Sequence, residues 1–240
     1  MLVAELTRVL APFGLNLIGT TTPAAYDALV PASHRLGPAA RRAIVVIGNG
    51  GRAFWSAFRE YAAAAPETAH PVDTFTAAIL TTQAVPVADR LGLRPELRFP
   101  FERTAPPLSF VHLAEAAGLG RRGLLGVLLH PEFGPWMALR GALLVDEAPV
   151  AARPAAGFDP CGNCRDRPCV AACPGDAIDD PDGWNVPRCI DFRVERGAAN
   201  PCADRCHARV ACVYGRAHVY PDDALAYHQG RAFAVMRGAR

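Results

Sequence analysis

The sequence predicts a mixed α+β domain over residues 1–150, followed by a small cysteine-rich module over residues 151–240. Three observations predict this division. Short apolar runs alternate with helix-spaced apolar positions through the first part of the chain. None of the eight cysteines precedes Cys161, and all of them lie between Cys161 and Cys212. The alanine- and proline-rich stretch Glu147 to Pro160 (EAPVAARPAAGFDP) between the two parts reads as a linker.

The elements follow in order. Leu2, Leu6, Val9, Leu10 and Phe13 recur at helical spacing until Pro12 and Gly14 interrupt it. Ala43 to Ile47 (AIVVI) is a buried-strand run closed by Gly48-Asn49-Gly50-Gly51. Phe54, Trp55, Phe58 and Tyr61 predict a second helix, and Thr74 to Leu91 a third. A strand is expected at Leu97 to Phe101, then a helix from Leu108 to Ala117 ending at Gly118. Gly126 to His130 and Ala138 to Val145 read as two strands joined by Pro131-Glu132-Phe133-Gly134-Pro135. This alternation is that of a layered α/β or α+β domain. Past the linker, hydrophobic periodicity collapses, and only Asp222 to Met236 again reads as a helix.

Composition narrows the function classes. Hydrophobic residues make up 51% and charged residues 20% of the 240 residues, as in a globular chain. The balance of 25 basic against 23 acidic residues leaves a net charge of +2, so no nucleic-acid partner is expected. All the basic residues counted are arginines, which excludes mechanisms built on a Schiff-base, P-loop or general-base lysine. The N-terminal stretch has neither a basic n-region nor a continuous apolar h-region, and no run approaches the roughly eighteen residues of a membrane span. A cytoplasmic protein without a membrane partner is expected, and there clustered cysteines read as metal ligands before disulfides.

The first four cysteines read Cys161-x2-Cys164-x4-Cys169-x3-Cys173-Pro174, and the others Cys189-x12-Cys202-x3-Cys206-x5-Cys212. The first run matches the bacterial ferredoxin pattern C-x2-C-x2-C-x3-C-P with two more residues in the middle gap. In that pattern three close thiolates hold one cubane and the fourth ligates its neighbour. By the same crossing, Cys161, Cys164, Cys169 and Cys212 would hold one [4Fe–4S] cluster, and Cys173, Cys189, Cys202 and Cys206 the other. Two structural zinc sites would use the same eight thiolates, and the C-x2-C spacing suits them. The Cys-Pro ending followed by Ala177-Ile178 favours iron–sulfur. The irregular second run leaves a single-cluster protein open, with His207 beside Cys206 as a substitute ligand or a solvated side chain.

The stretch Ala116-Ala117-Gly118-Leu119-Gly120, with Gly123 and the cysteine runs, resembles epoxyqueuosine reductases and reductive dehalogenases. The N-terminal half resembles CblC-type cobalamin-processing proteins. Pro12-Phe13-Gly14, Pro71-Val72-Asp73 and the block from Gly126 to Trp136 followed by Leu139-Arg140-Gly141 carry that resemblance. It implies a flavin-nitroreductase-like, cobalamin-binding α+β domain ahead of a small bacterial-ferredoxin-like module with two [4Fe–4S] clusters. Departures from the epoxyqueuosine reductase pattern count against tRNA as substrate. The acidic residue expected before the glycine block is replaced by Leu108-Ser109-Phe110-Val111-His112, and the Gly-Lys-Asn after it by Gly123-Leu124-Leu125.

The resemblance implies reductive removal of an upper ligand from cobalamin, with electrons from a ferredoxin- or flavodoxin-type donor. His130 and Arg140 are the candidate catalytic residues, Arg140 matching the arginine that helps CblC-type proteins bind their thiol co-substrate. Ser109, His112, Gly118, His130, Phe133 and Trp136 are the candidate corrinoid contacts. Each has a plainer reading as a turn, cap or core residue. Two other functions fit the same residues: a ferredoxin-type electron carrier without corrinoid chemistry, and a reductase of another small molecule using corrinoid or FMN.

Overall fold

The computed structural model describes residues 1–37, 43–146, 157–179 and 182–238. The linker expected at Glu147 to Pro160 lies outside the described residues over 147–156. The chain forms two compact units. The first comprises Met1–Gly120 and Met137–Gly157, and the second Arg121–Trp136 and Phe158–Arg240. Composition alone would leave Arg121–Trp136 with the first domain, because its apolar character resembles the residues around it. In the structure that segment groups with the cysteine-bearing residues instead.

The first unit is built on a four-stranded antiparallel sheet, in the order Leu17–Thr21, Ala43–Gly50, Met137–Val145, Glu96–Arg98. Ala43–Gly50 is interior and buried along its whole length, which explains its continuous rather than alternating apolar run. Leu17–Thr21 is a strand with no sequence expectation behind it. Its five residues follow a helix break directly and become a strand by pairing with Ala43–Gly50. Helix Leu2–Leu10 buries Leu2, Leu6 and Leu10, one residue per turn. Helix Ala53–Ala64 buries Phe54, Trp55 and Phe58, and the rings of Phe54 and Phe58 meet Phe75 at 5.6 and 6.0 Å.

Two departures from periodicity have local causes. The single helix expected from Thr74 to Leu91 is Pro71–Ile79, a π-helical turn Leu80–Ala84, and Val85–Arg90. Pro86 lacks an N–H, and its ring would crowd the Thr82 carbonyl in a regular α-helix; a widened turn just ahead of it relieves that clash. In the strand Met137–Val145, Gly141 lies opposite Ile47 and Leu139 opposite Gly48, so Arg140 is the extra residue of a β-bulge.

In the second unit the strands are short and helices carry most of the regular structure. A ribbon joins Arg121–Arg122 to Leu128–Leu129, and another joins Ile178–Asp179 to Gly183–Trp184. The strand expected over Gly126 to His130 is therefore only two residues long, since Gly126 takes φ +70° and Pro131 ends the run. The helices are Pro168–Ala171, Val186–Arg196, His207–Ala211 and Asp222–Gly238. A small buried cluster contains Cys169, Ile178 and Ala208, flanked by Leu124, Leu125, Val170, Cys173 and Cys206. So many cysteines in so small a core mean that apolar burial alone holds this unit weakly. One close approach depends on glycine. A Cβ on Gly134 would stand 2.3 Å from the Tyr214 carbonyl oxygen, and one on Gly215 2.1 Å from that of Phe133. Among the described residues no helix is long and apolar enough to cross a membrane.

Candidate functional site

The eight cysteines are carried by short elements of the second unit. Cys161 and Cys164 sit in turns, and Cys169 in helix Pro168–Ala171. Cys189 lies in the first half of helix Val186–Arg196, where the Asn185 side chain accepts the Arg188 N–H at 3.0 Å as an N-cap. Cys206 and Cys212 bracket helix His207–Ala211. All eight are free thiols, and Cys169, Cys202 and Cys212 are buried.

These thiols sort into two quartets. Burial pushes the Cys169 thiol up, and Cys212, Cys161 and Cys164 add to it in that order. Burial likewise raises Cys212, a backbone hydrogen bond at Tyr214 opposes it, and Cys161 and Cys164 raise it again. Cys202 is pushed up to about 11 by burial first, then by Cys206, with smaller contributions from Cys173 and Cys189; Arg193 acts the other way. Cys206 is raised chiefly by burial, a backbone hydrogen bond at Arg209 opposes it, and Cys189 and Cys173 add to the rise. One set is Cys161, Cys164, Cys169 and Cys212, and the other Cys173, Cys189, Cys202 and Cys206.

Each quartet lines a cavity of its own. The first set faces a narrow space of about 20 Å³ walled by Leu124, Leu125, Leu129 and Tyr214. The second lines a cavity of about 260 Å³ with Leu125, Ile178, Trp136 and Tyr220 in its walls. Backbone donors point at the sulfurs: the Leu124 N–H reaches Cys161 Sγ at 3.4 Å, and the Ala177 N–H reaches Cys173 Sγ at 3.3 Å. Among the described residues no group of three or more His, Cys, Asp or Glu side chains is arranged to hold a single metal ion. His207 donates from Nε2 to the Pro201 carbonyl at 2.9 Å.

The other predicted residues divide between the units. Ser109, His112, Gly118 and Arg140 belong to the first, and His130, Phe133 and Trp136 to the second. Ser109 precedes helix Phe110–Ala116; its N–H donates to the buried Tyr26 hydroxyl at 3.0 Å, and its Oγ lies 2.7 Å from His112 Nδ1. Gly118 takes φ +74° just beyond that helix. The bulge turns Arg140 toward Asn49, whose Oδ1 accepts from Nε at 2.7 Å, and the guanidinium lies 4.0 Å from the Phe54 ring centre. Asp73, Thr76, Pro100, Phe101 and Leu139 complete a cavity of about 170 Å³ beside Arg140.

His130 is held as a turn residue. Its Nδ1 accepts the N–H groups of Glu132 and Phe133 at 3.1 and 3.3 Å, so the neutral ring carries its proton on Nε2. Burial lowers its basicity, Glu132 partly restores it and His218 opposes. Trp136 is buried in the second unit: its ring meets Tyr220 edge-on at 5.5 Å and lies 4.8 Å below the Arg209 guanidinium. Arg193, not among the candidates from sequence, lines the larger cavity one helical turn after Cys189; the i, i+4 spacing from that cysteine was its signal.

No family model matches the chain. An epoxyqueuosine reductase of Synechococcus sp. (strain CC9605) is 42% identical over 90 residues, which cover 38% of this chain and 26% of that protein. The chain is related to the epoxyqueuosine reductases. The matched stretch thus spans about a quarter of that relative. The fold is shared more widely. The B12-trafficking protein CblC of C. elegans superposes with a TM-score of 0.62 at 14% identity, covering 98% of this chain and 96% of that one. The catabolic reductive dehalogenase NpRdhA gives 0.56 at 16% identity, over 96% of this chain and 34% of its own. An epoxyqueuosine reductase solved with an epoxyqueuosine-modified tRNA stem loop gives 0.54 at 16% identity, over 94% of this chain and 68% of that one. The tRNA stem loop is a ligand of that neighbour, with which this chain shares the fold. Near-neutral net charge averages over the whole surface and does not exclude a local basic face.

Proposed function

We propose that this chain is an iron–sulfur oxidoreductase which passes electrons from a ferredoxin- or flavodoxin-type donor, through two [4Fe–4S] clusters, to a bound corrinoid. Reductive removal of the upper ligand of cobalamin is the proposed reaction. The observation that carries the reading is the sorting of eight thiols into two quartets, each lining its own cavity.

The donor sets fit the clusters. A cubane takes one thiolate per iron and so spreads its ligands wider than the four donors of a single zinc ion. Cys161, Cys164, Cys169 and Cys212 would hold one cluster in a ferredoxin-like module, and Cys173, Cys189, Cys202 and Cys206 the other. Burial favours the thiol form of Cys169, Cys202, Cys206 and Cys212, and ligation to a cluster would displace the thiol protons. The Leu124 and Ala177 N–H groups disperse negative charge on Cys161 and Cys173 sulfur. Leucine and aromatic side chains line both cavities beside the thiols.

For the corrinoid, support comes from the fold shared with CblC. The group supplies the cobalt chemistry when bound, and the protein's part is to hold it and exclude competing reactions. In the first unit Ser109, His112 and Gly118 are its proposed contacts. Arg140, fixed by Asn49 and Phe54, is the proposed anchor for a carboxylate of a thiol or other co-substrate. His130 and Phe133 belong to the second unit, where their rings lie 5.0 Å apart.

Anaerobic purification, iron and sulfide analysis, and addition of cyanocobalamin under a low-potential reductant test the reading. About eight irons per chain with a shift of the corrinoid band and release of cyanide are the expected results. Zinc in place of iron, or iron with an unshifted corrinoid spectrum, would overturn it, and the second outcome would leave an electron carrier. A yellow protein releasing FMN would point to flavin chemistry on the same fold. A second reading, reduction of epoxyqueuosine in tRNA, is favoured by the 42% identity over 90 residues. Conversion of an epoxyqueuosine-bearing stem loop by the reduced protein would establish it.

A further inference from the structure

The larger cysteine cavity contains a feature that thiol ligation leaves unexplained. Arg193, in helix Val186–Arg196, is only 3% exposed and lines the same cavity as Cys173, Cys189, Cys202 and Cys206. Its guanidinium donates from Nη2 to the Gln229 carbonyl at 3.1 Å and from Nη1 to Met236 Sδ at 3.3 Å, and lies 5.5 Å from the Phe233 ring centre. Nε has no hydrogen-bond partner. Among the described residues no carboxylate pairs with it. A carbonyl, a thioether and a ring do not neutralise a guanidinium, and an arginine cannot shed its proton to escape burial. The cation is therefore held in an apolar wall at a cost that only a nearby anion offsets.

Arg209 is the other arginine of this cavity. It is half-buried, donates to the Pro135 carbonyl, and lies over Trp136 and Tyr220. Arg193 differs in being enclosed and in lying one turn from Cys189 on the same helix, so its position is tied to a ligand. The long helix Asp222–Gly238 supplies Gln229, Phe233 and Met236, the groups that fix the guanidinium.

We propose that Arg193 is a potential-setting residue, the buried counter-charge that raises the reduction potential of the cluster held by Cys173, Cys189, Cys202 and Cys206. The inference rests on the reading that this quartet carries a cluster. Four thiolates around a cubane leave a net negative centre, and one-electron reduction by the donor adds one more negative charge without moving a proton. A fixed positive charge in a low-dielectric wall favours the reduced form more than the oxidised one. The cluster of Cys161, Cys164, Cys169 and Cys212 lies outside this cavity and is unaffected.

The test compares the intact protein with Arg193→Met and Arg193→Lys by iron analysis and by a dithionite titration followed by electron paramagnetic resonance. In Arg193→Met, one of two clusters should show a reduced-to-oxidised ratio at least tenfold lower at a fixed potential, about 59 mV for one electron, while the other keeps its midpoint. Arg193→Lys, which retains the charge, should restore most of the difference. Full iron content with both midpoints unchanged in Arg193→Met would overturn the inference and leave the two-cluster reading intact. If Arg193→Met fails to load the second cluster, Arg193→Lys decides. Loading with a near-native midpoint supports the role of charge, and failure like that of the methionine variant overturns it. A wild-type protein without iron would remove the cluster reading and this inference together.

Discussion

Cys202 and Cys169 are each pushed toward the thiol form by burial, and each is coupled to a different quartet. Replacing one should therefore empty one site and spare the other. Cys202→Ser is expected to lower bound iron from about eight to about four per chain, Cys169→Ser to do the same, and the double variant to retain almost none; iron and sulfide analysis reads all three. His130 carries a second residue-scale prediction. Its folded basicity lies below the ordinary histidine value, so the unfolded chain binds the proton more readily. The stability it contributes is present above about pH 6.5 and is lost as pH falls below that value toward the lower folded one. Thermal melts between neutral and mildly acidic pH should show a steeper acid loss in the wild type than in His130→Gln. The neutral ring is a consequence of packing. The residue is legible in the sequence, whereas the two backbone N–H groups that fix its tautomer are visible only in the folded turn.

At the scale of elements, legibility followed the strength of the local pattern. AIVVI announced the interior strand, and Leu2, Leu6 and Leu10 the first helix, because burial on both faces or on one stripe leaves a period in the sequence. Leu17–Thr21 left no such trace, since a short strand is defined by its partner. Helix Val186–Arg196 went unread because charged side chains dominate it, although Asn185 and Pro187 mark its start. The bulge that aims Arg140 cannot be read before the register between Ala43–Gly50 and Met137–Val145 is known. The turns carrying Gly134 and Gly215 yield a sharper expectation. Both residues take positive φ, and each added Cβ would fall against the backbone of the other's turn. Gly134→Ala or Gly215→Ala should each destabilise the second unit by roughly 1–3 kcal/mol, read by denaturant titration of the holoprotein. A β-branched residue at either position should cost more.

For the whole molecule, the contrast is between a unit with a large apolar core and one whose small core is partly cysteine. The first unit buries aromatic side chains and an entire central strand. The second has two-residue ribbons and short helices around its thiols. Stripping iron by oxidation and chelation should therefore raise amide hydrogen exchange throughout Cys161–Cys212 and leave Ala43–Gly50 protected. Equal loss of protection in both segments would contradict that division of stability.

The sequence by itself determined the mixed α+β character of the first domain and the confinement of all eight cysteines to Cys161–Cys212, from which the proposed crossed ligation is drawn. Those features are written in residue identity and spacing, which folding does not change. Tertiary structure decided that Arg121–Trp136 groups with the cysteines, that Arg140 leaves the sheet at a bulge, and that Arg193 is buried beside a thiol quartet. These depend on which distant segments meet and on what water is excluded, and neither register nor burial of an isolated charge has a local period to read.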